Sequence, residues 1–164
     1  MIKIFIASDH AGVELKSKLL MELRSANYTS RYEVMDLGPQ STESVDYPDF
    51  ADLVCKKIHG FSLLNSDAKN SEIPSATELG ILICGSGQGM AMRANKYSHI
   101  RAALCWSVEV AKLSRSHNDA NVLCLAGREI KADLNLKIMR EFLATNFEGG
   151  RHQGRVLKVS TPLL

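Results

Sequence analysis

The stretch Leu79-Gly80-Ile81-Leu82-Ile83-Cys84-Gly85-Ser86-Gly87-Gln88-Gly89 decides the fold. Its first part is a short, unbroken apolar run, and its second part is a turn carrying glycine at every other position. An apolar run of this length, with no polar alternation, reads as a strand covered on both faces, as in a parallel sheet. Helical spacing through Met92 to Lys96 follows the turn, so strand, turn and helix form one β-to-α unit. Gly85, Gly87 and Gly89 let the backbone approach a ligand closely. The amides of the following helix then point at any anion bound there.

The same unit recurs on both sides. Ile2 to Ala7 reads as a buried strand ending in Ser8-Asp9-His10, and Leu15, Leu19, Leu20 and Leu23 mark an amphipathic helix after it. Glu33 to Leu37 is a further strand closed by Gly38-Pro39, and Asp46-Tyr47-Pro48 opens a helix through Ile58. Downstream, strand Arg101 to Trp106, a helix through Val110 and Leu113, and strand Asn121 to Ala126 lead to Gly127-Arg128. Leu134, Ile138, Met139, Phe142 and Leu143 mark another helix, and a basic segment from Arg151 to Lys158 ends the pattern. Five apolar strands alternating with helices describe a parallel sheet between helix layers. The segment 61–77, rich in Ser and Asn and without periodicity, reads as an inserted surface loop, and 150–164 as a C-terminal helical tail.

Composition agrees with a single domain over 1–164. The chain is 45% hydrophobic and 23% charged, with a formal net charge of +2, which excludes disordered, collagen-like and nucleic-acid-coating classes. No secretory pattern opens the chain and no membrane-length apolar run occurs, so a cytoplasmic location without membrane or nucleic-acid partners is expected. Cys55, Cys84, Cys105 and Cys124 show no paired spacing and read as reduced thiols.

In open parallel sheets ligands bind beyond the carboxyl ends of the strands. Asp9 and His10, Cys84 to Gly89, and Gly127-Arg128 all fall there. Spacing excludes several familiar turns. Met90 stands where a dinucleotide-binding G-x-G-x-x-G needs its third glycine, no G-K-[ST] closes a P-loop, and no Arg closes a phosphatase loop. No His or Cys pair has zinc-ligand spacing. What remains is an anion hole with Cys84 at its entrance, where a helix N-terminus favours a thiolate; a small core residue is the alternative reading. His117 ends a helix in the polar cluster Ser114 to Asp119, as a cap or facing a ligand. Arg151 and Arg155, four apart, form either a solvated basic face or a phosphate clamp.

Asp9-His10, Asp46-Tyr47-Pro48, Gly80 to Gly89, Ala94-Asn95-Lys96, Ile100 to Ala103, Ser114 to Val122 and Gly149 to Arg155 occur in this order. Together they make the chain resemble the type B ribose-5-phosphate isomerases, a family shared with galactose-6-phosphate and allose-6-phosphate isomerases. The resemblance runs from the first strand to about Ser160. It implies a three-layer α/β/α sandwich with a five-stranded parallel, Rossmann-like sheet. It also implies a homodimer or homotetramer with active sites shared between subunits, a sugar-phosphate substrate, and neither metal nor other cofactor.

By resemblance, Cys84 matches the catalytic base of the branch that uses Cys rather than Glu. Ser86 matches a hydroxyl that stabilises an enediolate with the turn Gly85, Gly87, Gln88 and Gly89, and His117 matches the residue that opens the furanose ring. Asp9, Tyr47 and Asn118 match positions near the sugar hydroxyls. His10, Arg128, Arg151 and Arg155 match phosphate ligands, some of them reaching across a subunit interface. Ser stands at 86 where the family often has Thr, and the 61–77 segment is longer than usual. An isomerase of a six-carbon sugar phosphate and a non-catalytic sugar-phosphate binding subunit are the alternatives, with a nicotinamide oxidoreductase more distant.

Overall fold

Strand β3 (Glu78–Cys84) is buried at every position after its first, and its successive residues face opposite sides of the sheet. Leu79, Ile81 and Ile83 enter one apolar cluster, while Leu82 and Cys84 enter the other. The same alternation sorts β1 (Ile2–Ser8), with Ile4 and Ile6 on one side and Phe5 and Ala7 on the other. It sorts β5 (Val122–Ala126) as well, with Leu123 and Leu125 against Val122 and Cys124. Two-sided burial is the reason these strands read as continuous apolar runs.

The protein is described by a computed structural model covering residues 1–59 and 77–161. With β2 (Tyr32–Asp36) and β4 (Ala102–Leu104), the strands form one five-stranded parallel sheet in the order β2-β1-β3-β5-β4. On one face pack α1 (Val13–Leu23), α5 (Val108–Asn118) and α6 (Ala132–Ala144); α3 (Tyr47–Lys57) and α4 (Gln88–Ala94) cover the other. A short helix α2 (Ala26–Thr29) precedes β2, and a 3-10 turn (Gly150–His152) leads into α7 (Gln153–Ser160). Most of the loop expected over 61–77, and residues 162–164 of the tail, lie outside the described residues. Among the described residues no helix is long and apolar enough to cross a membrane.

Three local differences from the sequence reading have physical causes. β4 spans three residues instead of Arg101 to Trp106. It is an edge strand paired only with β5, Arg101 is turned into polar contacts with Asp119, and Trp106 is exposed. α4 begins at Gln88, before the expected Met92, because Gly87 adopts φ +75° and turns the chain straight into the helix. α2 has no buried residue and therefore no apolar stripe to announce it.

Lys16 is the largest departure in the core. It lies on the stripe of Leu19, Leu20 and Leu23 and is 1% exposed. Its Nζ donates to Asp36 Oδ1 and to the Pro39 carbonyl, both at 2.7 Å. Gly38 N–H and Gln40 Nε2 also donate to the Asp36 carboxylate. Burial alone would raise that carboxyl, but the hydrogen bonds from Lys16, Gln40 and Gly38 outweigh it and leave it below the ordinary 3.8. This network fixes the chain that runs from β2 toward Tyr47.

Candidate active site

Because every strand is parallel, the loops after β1, β3 and β5 meet at one end of the sheet. The Asp9 N–H donates to the Ile83 carbonyl at 2.9 Å, which ties the end of β1 to β3. Asp9 itself is 7% exposed, and its Oδ1 accepts the Ala11 and Gly12 amides at 2.9 and 3.1 Å. One carboxylate oxygen is thus committed to closing the turn. His10 Nδ1 accepts the Val45 N–H at 3.4 Å, which in the neutral ring places the proton on Nε2.

Cys84 ends β3 with 5% of its surface exposed, and its Sγ accepts the Gly87 N–H at 3.1 Å. Burial pushes Cys55 up to about 12 and Cys105 up to about 11, and Cys124 also lies well above its ordinary value. These three are inert core residues at neutral pH. Ser86 and Gln88 are exposed on the turn. The Gly87 position requires glycine twice over, by its φ and because a Cβ there would stand 2.5 Å from Leu104 Cδ1. Gly89 faces the Tyr47 ring, whose nearest atom would stand 2.6 Å from a Cβ. The third loop joins through Gly127 N–H to the Cys84 carbonyl (2.8 Å) and Arg128 N–H to the Gly85 carbonyl (3.0 Å). The exposed Arg128 side chain lies against Gly85. Asp9, His10, Tyr47, Cys84, Ser86, Gly85, Gly87, Gln88, Gly89 and Arg128 are therefore gathered at one end.

The remaining expected residues are not there. Helix α5 runs back antiparallel to β5, so His117 and Asn118 reach the amino end of the sheet. The Asn118 carbonyl accepts Arg101 Nε at 3.2 Å, and the Arg101 carbonyl accepts the Asn121 and Val122 amides before β5 begins. Cys84 pairs with Ala126, four residues along β5 from Val122, a separation of roughly 13 Å along the strand. Asp119 fixes this corner. Its φ of +45° ends α5, and its carboxylate accepts Arg101 and Arg115 at 2.8 and 2.9 Å.

His117 there stacks face to face on His152, with ring centroids 4.2 Å apart and planes 8° from parallel. Arg151 Nε donates to His152 Nε2 at 3.4 Å, and Arg155 follows on α7. Within one chain, His117, Asn118, Arg151 and Arg155 form a second cluster, remote from Cys84. The sequence reading had missed His152 and Glu148; their four-residue spacing was the available signal. The ligand atoms of His117, Glu148 and His152 lie within 4.8 Å of one another. Near-parallel rings cannot both aim an in-plane lone pair at one ion, and Arg151 already occupies His152 Nε2, so this geometry suits a metal poorly.

Comparison with known proteins decides the family. Residues 4–159 match the family model described as Ribose/Galactose Isomerase. The chain belongs to that family. A probable ribose-5-phosphate isomerase B of Mycoplasma genitalium is 46% identical over 157 residues, covering 95% of this chain and 92% of that protein. The Escherichia coli ribose-5-phosphate isomerase B is 37% identical over 156 residues, covering 95% of this chain and 93% of its own. The Mycoplasma genitalium enzyme solved with bound ribulose-5-phosphate has a TM-score of 0.80 at 45% identity, covering 97% of this chain and 94% of its own. Membership in the Ribose/Galactose Isomerase family accords with the five-stranded parallel sheet and flanking helices described above.

Proposed function

We propose that this chain is an aldose-ketose isomerase that interconverts ribose 5-phosphate and ribulose 5-phosphate through an enediolate, with Cys84 as general base. The observation that carries the reading is the Cys84 sulfur at the end of β3, under a glycine turn whose Gly87 amide it accepts. Its relatives' names and the ribulose-5-phosphate bound to one of them supply the substrate class.

The chemistry follows from what each group offers. Cys84 takes the C2 proton of the open-chain aldose, and the released electron pair forms the C1–C2 double bond while O1 takes the negative charge. Ser86 and the turn of Gly85, Gly87, Gln88 and Gly89 stabilise that oxyanion. A proton moves from O2 to O1, Cys84 returns its proton to C1, and C2 becomes the carbonyl. No electron leaves the substrate, so the reaction calls for no nicotinamide. Asp9 and Tyr47 hold sugar hydroxyls, and His10 and Arg128 reach the phosphate.

The other roles need a second copy. His117 opens the furanose ring, Asn118 holds a hydroxyl, and Arg151 and Arg155 clamp the phosphate. Their separation from Cys84 within one chain supports a site that joins the Cys84 half of one protomer to the His117 half of its partner. The half-buried edge strand β4 and the exposed Val159 offer apolar surface for that contact. A groove of about 380 Å³ runs along it, lined in part by Tyr97, Ile100, Ala102 and Val156.

The test is turnover of ribose 5-phosphate and allose 6-phosphate by the parent and by Cys84→Ser. Parent turnover with a preference for the pentose, lost in the folded Cys84→Ser variant, is expected. Parental turnover by that variant would remove Cys84 as base, and a preference for allose 6-phosphate would move the substrate to six carbons.

A further inference from the structure

His152 is 7% exposed and makes two specific contacts, each with a residue that the proposed reaction uses. Its ring covers one face of the His117 imidazole, at 4.2 Å and 8°. Its Nε2 accepts the Arg151 Nε–H at 3.4 Å. An arginine only donates, so this nitrogen carries no proton, and the neutral ring holds its proton on Nδ1.

The surroundings favour that neutral form. Burial holds His152 below its ordinary value, with His117, Arg151 and Arg155 pushing the same way against Glu148. Glu148 is anchored to the end of α5 through its N–H to the Ser116 carbonyl at 3.0 Å, and its Oε2 stands 3.9 and 4.0 Å from the two Nε2 atoms.

We infer that His152 is a positioning residue, fixing the ring plane of His117 by stacking and the guanidinium of Arg151 by accepting its Nε–H. It joins the ring-opening group and the phosphate clamp into one rigid unit across the break between α5 and α7. The inference rests on the roles proposed above for His117 and Arg151. A stack held in one plane aims the His117 nitrogen at the ring oxygen, and a guanidinium held at Nε presents its two terminal nitrogens to phosphate as a fork.

The test uses two substrates on the whole protein: ribose 5-phosphate and its 4-deoxy analogue. The analogue lacks the oxygen that closes the furanose, so it stays an open-chain aldehyde and skips ring opening. For His152→Ala, kcat on ribose 5-phosphate should fall about 10-fold or more, while kcat on the analogue stays within about twofold. KM should rise for both, because both carry the phosphate. His152→Phe keeps a flat ring and loses the acceptor, so it should recover kcat while KM stays raised.

Equal loss of kcat on both substrates, or parental KM in His152→Phe, would overturn the inference. Should His152→Ala fail to fold, the separation of KM from kcat in His152→Phe decides alone. His117→Ala distinguishes the two levels of the account. If it spares the ratio between the substrates, the ring-opening role is wrong and the stacking role of His152 falls with it. If His117→Ala collapses that ratio and His152→Ala does not, only the role of His152 is wrong.

Discussion

The Gly87 amide meets the Cys84 sulfur at 3.1 Å, whereas Cys55 and Cys124 are sealed in the core. The consequence is chemical selectivity among four thiols. Burial pushes Cys55 to about 12 and Cys105 to about 11, so neither forms a thiolate near neutrality. Iodoacetamide should therefore label Cys84 alone in the native protein. Peptide mapping by mass spectrometry should show activity falling in step with that one adduct, and ribose 5-phosphate should slow it. Labelling of Cys55 or Cys124 first would contradict the assignment.

Cys84→Ala should lower kcat by about 10²–10⁴, the usual contribution of a positioned base, with KM changed little. Removing one sulfur atom at the end of β3 should leave the melting temperature near the parent's. A large loss of stability with retained turnover would mark Cys84 as a core residue only.

Two glycines of the same turn should behave differently. Gly87→Ala forces a Cβ to 2.5 Å from Leu104 and 3.1 Å from the Leu125 backbone at a positive φ. It should cost about 2 kcal/mol or more in chemical denaturation. Gly89→Ala meets the Tyr47 ring first, and that side chain is 40% exposed with room to yield. Its stability should be close to parental while kcat/KM falls through displacement of Tyr47.

Lys16→Met strands the Asp36 carboxylate beside a buried hydrocarbon chain. Breaking such a pair from one side costs about 3–5 kcal/mol, or a fall in Tm on the order of 10 °C for a chain of this size. The acid limb carries a second signature. The Asp36 carboxyl is held below its ordinary 3.8 when folded, so the unfolded chain takes up its proton first as pH falls. That contribution is complete above the ordinary value and is lost as pH drops through the lower, folded one. Glu22 beside Arg140 and Asp52 beside Arg93 act in the same sense. Calorimetry should show parent Tm falling below about pH 4, and a shallower fall in Lys16→Met, in which Asp36 is no longer held down.

The strands and the gathering of polar loops at their carboxyl ends were legible because two-sided burial and glycine turns leave local marks. Cys84 and Gly127, far apart in sequence, meet because β3 and β5 are neighbours; the parallel pattern implied one sheet but not that order of strands. Lys16 was less legible: its place on the leucine stripe was visible, but its partner Asp36 lies on another strand. The stacking of His152 on His117 left no mark, since it depends on how the end of α5 and the turn before α7 close on each other. Nor did any one segment disclose that Cys84 and His117 of one chain occupy opposite ends of the sheet. That follows only from the direction of α5.

The direct test of a site assembled from two copies is a mixing experiment. Cys84→Ala and His117→Ala, each inactive alone, are unfolded together, refolded in equal amounts and assayed with ribose 5-phosphate. In a two-fold dimer with random pairing, half of the dimers are mixed and each has one intact site, so about a quarter of the parent activity should return. No recovery from a mixture shown to contain mixed dimers would contradict the shared site and place the whole reaction within one chain.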